Sequence, residues 1–430
     1  MILLKNGQII QAGNHLQAMD LLIEGSQIVK ISPHIEAQGE WQVLDLSGKL
    51  VTAGFIDVHV HLREPGFTDK ETIKTGSRAA IRGGYTTIFA MPNVNPSPDT
   101  PDGIQDLLSR AAKDSPIDIG FFAPITMGEK GIELTDIRAL KEAGAIALSD
   151  DGKGVQSNDM MLQAMKLAQA TDLVISAHCE DESVLNGGYI HEGAYSQQHG
   201  HKGIMRAAED IQAGRDILLA GETGAKYHIC HMSSYRTVDL LELGRKWGCA
   251  VSGEVTPHHL LLTQDDLRED GRFKMNPPLR DRMDQDRLIQ GLEAGIIEVI
   301  ATDHAPHTEI EKSRGLADSP FGITGLETSF ALLYTYLVKP GKISLETVIN
   351  ALTKGPARVF SLDKGTLQVG AVADITVIDL ERDYTIESAN HESKGKNTPF
   401  DQWRVFGKIE TVMKAGRILL RDGEFTPTIS

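Results

Sequence analysis

The sequence predicts an α/β fold in which a (β/α)8 barrel, also called a TIM barrel, lies beside a small β-sandwich domain. Short apolar runs alternate with helix-like stretches through the middle of the chain, and eight such runs are found. Both chain ends instead carry short alternating segments without helices. Alternating strands and helices favour a parallel sheet, and eight units over roughly 250 residues suit a closed barrel.

The predicted barrel strands are the eight apolar runs, each bounded by turn or polar residues. They cover residues 55–61, 86–91, 117–123, 145–148, 173–177, 227–230, 250–255 and 298–301. Helical periodicity between them predicts helices over 70–82, 134–143, 160–170, 205–220, 237–247 and 282–294. An open doubly wound sheet is the alternative, but no G-x-G-x-x-G motif follows the first strand of the series.

The two chain ends are predicted to form one domain together. Residues 2–51 contain short segments separated by Gly and Asn turns, and residues 373–380 and 412–420 repeat this pattern. Neither end alone is able to bury a core, so we expect them to pair into one β-sandwich. The predicted domains are therefore residues 1–52 and 361–430 for the sandwich and 53–360 for the barrel.

The composition excludes several classes of protein. The chain has 430 residues, of which 41% are hydrophobic and 24% charged, and a formal net charge of -16. This acidic balance argues against a nucleic-acid partner, and an anionic substrate would need local arginines to capture it. Three cysteines give no disulfide framework, and no segment reaches the roughly 18 apolar residues that a membrane span needs. We expect a soluble, cytoplasmic protein.

The first barrel strand carries the pair His59 and His61. Residues two apart on a strand point to the same face, so the two imidazoles can converge on a transition metal. For an isolated pair of this kind, the more common outcome is two polar residues that are each satisfied by a neighbour.

Further metal-ligand types stand where other strands end, and in such a barrel the C-terminal strand ends form one rim. Each alone has a structural explanation, such as a turn, a core histidine or a cap, but a coincidence at five strand ends favours a two-zinc site. After His59 and His61, the residues are Asp150-Asp151, His178, His231 and Asp303-His304.

Roles within this set follow from chemistry and from strand parity. A carboxylate that bridges two metals leaves another for proton transfer, and we assign Asp151 to the first role and Asp303 to the second. If His178 and His231 point inward, their neighbours Cys179 and Cys230 point away from the metals and are packed residues. By the same parity His228 is structural. The other histidines near the predicted strands and loops are expected to be structural or surface residues, namely His199, His201, His258, His259 and His391.

The run Asp57-Val-His-Val-His-Leu-Arg-Glu-Pro-Gly66 resembles the amidohydrolase superfamily and, within it, the bacterial class I dihydroorotases. The resemblance extends from about the first barrel strand to near Gly423. Further motifs that carry it are Met91-Pro-Asn93, Ser149-Asp-Asp-Gly152, Ala177-His-Cys-Glu180, Lys274-Met-Asn-Pro-Pro-Leu-Arg280, Ala301-Thr-Asp-His-Ala-Pro-His307 and Pro320-Phe-Gly-Ile.

The resemblance implies a barrel of the metal-dependent hydrolase type and a reversible reaction. In that reaction N-carbamoyl-L-aspartate cyclises to L-dihydroorotate plus water, the third step of de novo pyrimidine biosynthesis. It also implies two Zn²⁺ ions per subunit, with His59 and His61 on one, His178 and His231 on the other, Asp151 as the bridge, and Asp303 as ligand and proton shuttle. The implied substrate contacts are His61, Arg63, Asn93, Asn276, His307 and the backbone of Phe321 and Gly322.

Arg63 makes sense on physical grounds as well. It lies two residues past His61 on the same side of the strand, and a guanidinium can hold a carboxylate with two parallel hydrogen bonds.

Two other functions remain open. Hydantoinases (dihydropyrimidinases) and allantoinases resemble this chain but bridge their metals with a carboxylated lysine, where this chain has Asp151 and, two residues on, Lys153. A dihydroorotase-like subunit without activity could instead support aspartate carbamoyltransferase, although all four metal histidines are present. A homodimer is the default assembly. The polar segment 305–320 is expected to be mobile and to close over substrate.

Overall fold

The computed structural model describes residues 1–11 and 13–427 and contains a barrel of eight parallel strands. The strands pair in the order in which they follow one another along the chain. The last strand returns to the first through a parallel bridge between His304 and Val60, and the His61 N–H donates to the His304 carbonyl at 2.9 Å. All eight predicted strands are present, so the barrel prediction is confirmed.

The described strands in chain order are β1 (Ile2–Gln11), β2 (His15–Glu24), β3 (Gln27–Ser32), β4 (Gln42–Asp45), β5 (Leu50–Ala53), β6 (Phe55–Val60), β7 (Tyr85–Ala90), β8 (Asp118–Ala123), β9 (Ala147–Leu148), β10 (Val174–Ala177), β11 (Ile190–His191), β12 (Gly203–Ile204), β13 (Lys226–Ile229), β14 (Val251–Val255), β15 (Val299–Ile300), β16 (Ile375–Thr385), β17 (Arg404–Lys414), β18 (Arg417–Arg421) and β19 (Glu424–Phe425). The barrel consists of β6 to β10 and β13 to β15.

The described α-helices in chain order are α1 (Ile73–Arg82), α2 (Pro101–Asp114), α3 (Ile137–Glu142), α4 (Asn158–Thr171), α5 (Ala194–His199), α6 (Ala207–Thr223), α7 (Tyr235–Lys246), α8 (Pro257–Leu261), α9 (Arg282–Glu293), α10 (Glu309–Lys312), α11 (Gly315–Asp318), α12 (Ser329–Leu333), α13 (Leu345–Leu352) and α14 (Lys354–Val359). A π-helical turn, Tyr334–Val338, follows α12.

Capping side chains set the helix starts more sharply than periodicity does. The helix predicted over 70–82 begins only at Ile73, because Thr72 accepts from the Thr75 N–H in a capping box. The stretch that becomes α2 was not predicted, although Thr100 caps it and Pro101 occupies its first position.

Aromatic side chains fill the barrel interior below the rim. Phe360, which follows α14, packs edge to face on Phe89 and Phe122, with ring centroids 5.2 and 6.1 Å apart. Ile56, Val58 and other apolar residues complete this core. The barrel is therefore a packed core and not a pore, and polar chemistry is confined to its rim.

Strands from both chain ends form one nine-stranded sheet beside the barrel. Its main path runs β19-β18-β17-β16-β5-β1-β2-β3, with β4 paired to β1. The N-terminal and C-terminal parts meet where β5 pairs antiparallel with β16, Ala53 opposite Ile375. This confirms that the chain ends combine, while the domain boundaries near residues 52 and 360 stay a prediction. Among the described residues, no helix has the length and apolar character to cross a membrane.

Candidate metal centre

Six side chains predicted as metal ligands meet at the C-terminal ends of the barrel strands. His59, His61 and Asp151 bring one ligand atom each within 4.8 Å of one another, and Asp151, His178 and His231 do the same. Asp303 completes the set, with its Oδ1 3.0 Å from His61 Nε2 and 3.6 Å from His59 Nε2. All six are at least nine-tenths buried.

Asp151 belongs to both groups of three. Its Oδ1 lies 3.5 Å from His59 Nε2 and 4.0 Å from His231 Nε2, and its Oδ2 lies 3.6 Å from His61 Nε2. Lys153, the alternative at this strand end, is exposed. A carboxylate between two pairs of imidazoles has the position that a bridging ligand requires.

The donor set fits a divalent transition metal. The buried atoms His59 Nε2 and Asp151 Oδ1 have no hydrogen-bond partner among the described residues, which is costly unless another group satisfies them. Imidazole nitrogens and carboxylate oxygens are ligands that such metals prefer. In addition, His61 Nδ1 lies 2.8 Å from the Asn93 amide oxygen, and a proton shared with this oxygen would leave the Nε2 lone pair available when a metal is bound.

Glu254, near the end of β14, is a buried residue in contact with these histidines that the sequence analysis missed. Its Oε1 lies 2.7 Å from His59 Nδ1 and accepts from the His231 N–H at 3.1 Å. Its Oε2 lies 3.1 Å from His228 Nε2. A fully buried carboxylate in an apolar strand was the signal available in the sequence.

Both neighbouring cysteines are packed residues, as predicted, but the direction that strand parity gives is right only for Cys179. Cys179 packs outside the barrel, with its Sγ 3.2 Å from the Tyr227 hydroxyl. Cys230 packs inside the barrel, in the apolar core below the rim. One ligand atom from each of Cys230, Glu254 and His59 lies within 4.8 Å of the other two. His228 also faces this interior. Strand β13 ends at Ile229, and the positive φ of +30° at His231 breaks the alternation.

Three residues at the rim have a strained backbone conformation. The φ values are +60° for Arg63, +30° for His231 and +47° for Asp303, in the left-handed region that residues other than Gly rarely adopt. Such conformations persist where surrounding structure enforces them, and they cluster at functional sites.

Asp303 is ionised at neutral pH. Burial raises its pKa, but the hydrogen bond from His61 and the charges of His59 and His61 outweigh this effect and hold the pKa at about 2. Asp303 can therefore accept a proton, which a general base requires.

A cavity of about 160 Å³ opens directly above these ligands. It is lined by the metal-centre residues His61, Asp151, His178, His231 and Asp303 and by every residue predicted to contact substrate, namely Arg63, Asn93, Asn276, His307, Phe321 and Gly322.

Arg63 and His307 lie next to each other in the wall of the cavity. Arg63 Nε donates to the Pro306 carbonyl at 3.2 Å, and its Nη2 lies 3.3 Å from His307 Nε2. His307 Nε2 lies 2.7 Å from the Phe321 carbonyl and so carries a proton. Burial, followed by the charges of Arg63 and Lys70, lowers the pKa of His307 to about 3, so the ring is neutral. The two Nη groups of Arg63 remain available for an anion.

The other lining residues are partly engaged by the protein. Asn93 bridges His61 and Asp151, since its Nδ2 donates to Asp151 Oδ2 at 3.1 Å. Asn276 Nδ2 donates to Glu180, while the buried Asn276 Oδ1 has no partner among the described residues and can accept a hydrogen bond. The Gly322 N–H donates to the Lys274 carbonyl at 3.0 Å, so a substrate contact there requires sharing of this bond.

Histidines not assigned to the centre have structural contacts. His304 Nε2 lies 3.3 Å from Glu71, and His259 bonds Thr256 and the Pro277 carbonyl. His258 is 2% exposed, and its Nε2 has no partner within the described part of the chain. His258 was expected to be a structural or a surface residue, and its burial excludes the surface alternative.

The segment 305–320 contains the short helices α10 and α11. Lys312 holds it in place by donating to the carbonyls of Lys274, Pro320 and Gly322 at 3.1, 2.9 and 2.7 Å. That this segment closes over substrate stays a prediction.

Comparisons with known proteins agree with this geometry. A model of the dihydro-orotase-like family matches residues 48–237, and an amidohydrolase family model matches residues 255–420. The dihydroorotase of Shouchella clausii strain KSM-K16 is 48% identical to this chain and that of Geobacillus thermodenitrificans strain NG80-2 is 49% identical. The alignments cover 98% of this chain in both cases, and 98% and 99% of the two relatives.

Solved structures with the same fold include hydantoinases. The L-hydantoinase (dihydropyrimidinase) from Arthrobacter aurescens superposes with a TM-score of 0.89 at 26% identity, over 99% of this chain and 97% of that one. The D-hydantoinase from Thermus sp. superposes with a TM-score of 0.84 at 28% identity, over 99% and 96%. The full-length identity of 48–49% is to dihydroorotases, and the chain therefore belongs to the dihydroorotase family of the amidohydrolases.

Proposed function

We propose that this protein is a zinc-dependent dihydroorotase, which interconverts N-carbamoyl-L-aspartate and L-dihydroorotate plus water in de novo pyrimidine biosynthesis. The observation that carries the proposal is a single cavity that joins five of the six candidate metal-ligand side chains, all except His59, to Arg63. A partly buried guanidinium beside a hydrolytic metal centre suits a cyclic amide that bears a carboxylate. Relatives at 48–49% identity carry the same name.

We assign two zinc ions to the centre. His59 and His61 would hold one, His178 and His231 the other, and Asp151 and Asp303 would add carboxylate oxygens, with Asp151 between the two sites. When bound, zinc ions supply Lewis acidity toward the amide carbonyl and lower the pKa of coordinated water.

Asp303 is assigned the proton transfer. In ring opening, the oxygen of water joins the ring carbonyl carbon and the bond from this carbon to the ring nitrogen breaks. The ionised Asp303 takes a proton from the water and delivers it to the leaving nitrogen. In ring closure the same carboxyl group moves protons in reverse, and water leaves.

Polar groups around the cavity are assigned to substrate orientation. Arg63 would bind the ring carboxylate through its Nη nitrogens. The unpartnered Asn276 Oδ1 is suited to accept a hydrogen bond from a ring N–H. His61, Asn93, His307 and the backbone of Phe321 and Gly322 would complete the contacts, because all of them line the cavity.

A cyclic amidohydrolase that acts on neutral rings, such as a hydantoinase or an allantoinase, is the second candidate. The structural likeness to hydantoinases at TM-scores of 0.84 and 0.89 favours it. The position of Asp151 between the two histidine groups argues against it, because the resemblance places a carboxylated lysine there in those enzymes.

The test is an assay of purified, zinc-loaded protein in both directions, with L-dihydroorotate and N-carbamoyl-L-aspartate, together with metal analysis. We expect turnover of both compounds and two zinc ions per chain. Protein that retains no metal and converts neither compound would contradict the proposal and favour a non-catalytic partner of aspartate carbamoyltransferase.

A homodimer and a cytoplasmic location, consistent with three free cysteines, are part of the same proposal.

A further inference from the structure

A loop from the nine-stranded sheet reaches the barrel rim and contacts residues that line the substrate cavity. It connects β16 to β17 and covers residues 386–403. Within it, Asn397 is 3% exposed and lies among the residues that follow the last barrel strand. Neither the metal centre nor the predicted substrate contacts include this residue.

The Asn397 side chain makes three hydrogen bonds to one rim segment. Its Oδ1 accepts from the His307 N–H at 3.0 Å, and its Nδ2 donates to the carbonyls of Ala305 and Gly322, both at 3.1 Å. One amide therefore ties together two ends of a segment that are 17 residues apart in sequence. A buried amide uses both donors and one acceptor lone pair in this arrangement.

These bonds act on Arg63 through Pro306. The Pro306 carbonyl accepts from Arg63 Nε at 3.2 Å, and Pro306 lies between the two residues, Ala305 and His307, that Asn397 holds. The place of this carbonyl decides where the guanidinium lies, because Nε is the anchored nitrogen of that group.

The same amide fixes the far side of the cavity. The Gly322 carbonyl accepts from Asn397 and also from Lys312 Nζ at 2.7 Å. Gly322 has φ +124°, and a Cβ there would lie 2.6 Å from the Ala305 Cβ, so the two backbone stretches are in direct contact. The Asn397 side chain links these two stretches, because it donates to the carbonyls of both Ala305 and Gly322.

We propose that Asn397 is a positioning residue for substrate binding, which sets Arg63 and His307 at the distance from the metal centre that a carboxylate-bearing ring requires. The inference rests on the proposed function. Asparagine suits the role because it donates twice and accepts once. An aspartate of the same shape would lose both donors and face two carbonyl oxygens with negative charge.

The experiment compares Asn397→Asp with the wild type and with Asn390→Ala, a matched control for an exposed asparagine in the same loop. We expect Asn397→Asp to raise KM for dihydroorotate, and Kd for N-carbamoyl-L-aspartate by calorimetry, about tenfold or more. Zinc content should stay at the wild-type level, and Asn390→Ala should match the wild type in every measurement. If Asn397→Asp does not fold, Asn397→Ser, which keeps one donor and one acceptor without charge, is judged by the same criterion.

A double-mutant cycle with Arg63→Met separates positioning from general structural damage. If Asn397 acts through Arg63, adding Asn397→Asp to Arg63→Met should change KM less than about threefold. An unchanged KM in Asn397→Asp, a full tenfold effect in the Arg63→Met background, or a loss of zinc would each overturn the inference. A wild-type protein that neither converts nor binds these compounds would contradict the proposed function as well, whereas an active wild type beside an unaffected variant contradicts the inference alone.

Discussion

Glu254 Oε1 lies 2.7 Å from His59 Nδ1, so a buried carboxylate orients the first histidine of the metal centre from below. Burial raises the pKa of Glu254, but the charge of His59 and the hydrogen bond with His228 outweigh this and hold the pKa well below its usual range. The carboxylate is therefore ionised, and it directs His59 Nε2 toward Asp151.

Removing this charge should weaken metal binding. In Glu254→Gln we expect zinc affinity to fall about 10- to 100-fold, which is typical for loss of a carboxylate behind a histidine ligand. The measurement is the zinc that remains after dialysis against a series of chelator concentrations. Glu269→Gln, at an exposed glutamate that pairs with His201, is the control. Equal zinc retention in the wild type and Glu254→Gln would show that Glu254 only packs.

Replacing the proton-transfer group should stop turnover. Asp303→Asn keeps the shape of the side chain but cannot take up a proton, and general acid–base transfer typically contributes 10²–10⁴-fold. We expect kcat to fall by about this factor or more, since a carboxylate ligand is also lost. Steady-state rates in both directions measure the effect, and a variant within tenfold of the wild type would rule out Asp303 as the shuttle.

Removing the guanidinium should impair substrate use and leave the metal centre intact. In Arg63→Met the cavity loses the group that binds the carboxylate, so we expect kcat/KM for dihydroorotate to fall by about 10²-fold or more. Metal content should equal that of the wild type. Loss of zinc in Arg63→Met would instead assign Arg63 to the support of the metal centre.

Lys312 gives the protein a pH-dependent contribution to stability. Lys312 is 5% exposed, and burial, followed by repulsion from Lys274, lowers its pKa to about 7. Asp270 and Glu311 oppose this shift and Arg63 adds to it. In the folded protein the lysine is protonated, with an N–H for each of its three carbonyl partners, only below about pH 7. Above this pH it is neutral, while in the unfolded chain it stays protonated up to about pH 10.5.

The folded state should therefore gain stability from this residue as the pH rises from about 7 toward 10.5. The unfolded chain binds the extra proton throughout this window, so the gain is at most about 1.4 kcal/mol per pH unit. In Lys312→Met this contribution to the pH dependence of the free energy of unfolding is absent. We expect the difference in melting temperature, wild type minus Lys312→Met, to increase steadily between pH 7.5 and 9.5. Parallel melting curves over this range would contradict the assigned state of Lys312.

The sequence was sufficient for the parts of the structure that depend on local pattern. His59, His61, His178, His231 and the two aspartates stand at strand ends, and strand ends of a barrel meet by topology alone. Each apolar run that was expected to form a barrel strand does so, within one or two residues at most boundaries.

What the sequence could not provide depends on contacts between distant segments. Asn397 is 90 residues from His307, and no local pattern shows that the loop after β16 returns to the rim. Similarly, the strand parity of Cys230 and His231 fails because the backbone of His231 leaves the regular strand conformation, which residue types alone do not reveal. Glu254 was visible as a carboxylate in an apolar strand, but its partner His59 was not.

Selectivity between rings that differ in the carboxylate tests the central claim most directly. The measurement is kcat/KM of the zinc-loaded protein for L-dihydroorotate beside dihydrouracil, hydantoin and allantoin. We predict that kcat/KM for dihydroorotate exceeds that for each neutral ring by about 10²-fold or more, because a neutral ring would leave the partly buried Arg63 without an anion. Turnover of the neutral rings with none of dihydroorotate would contradict it.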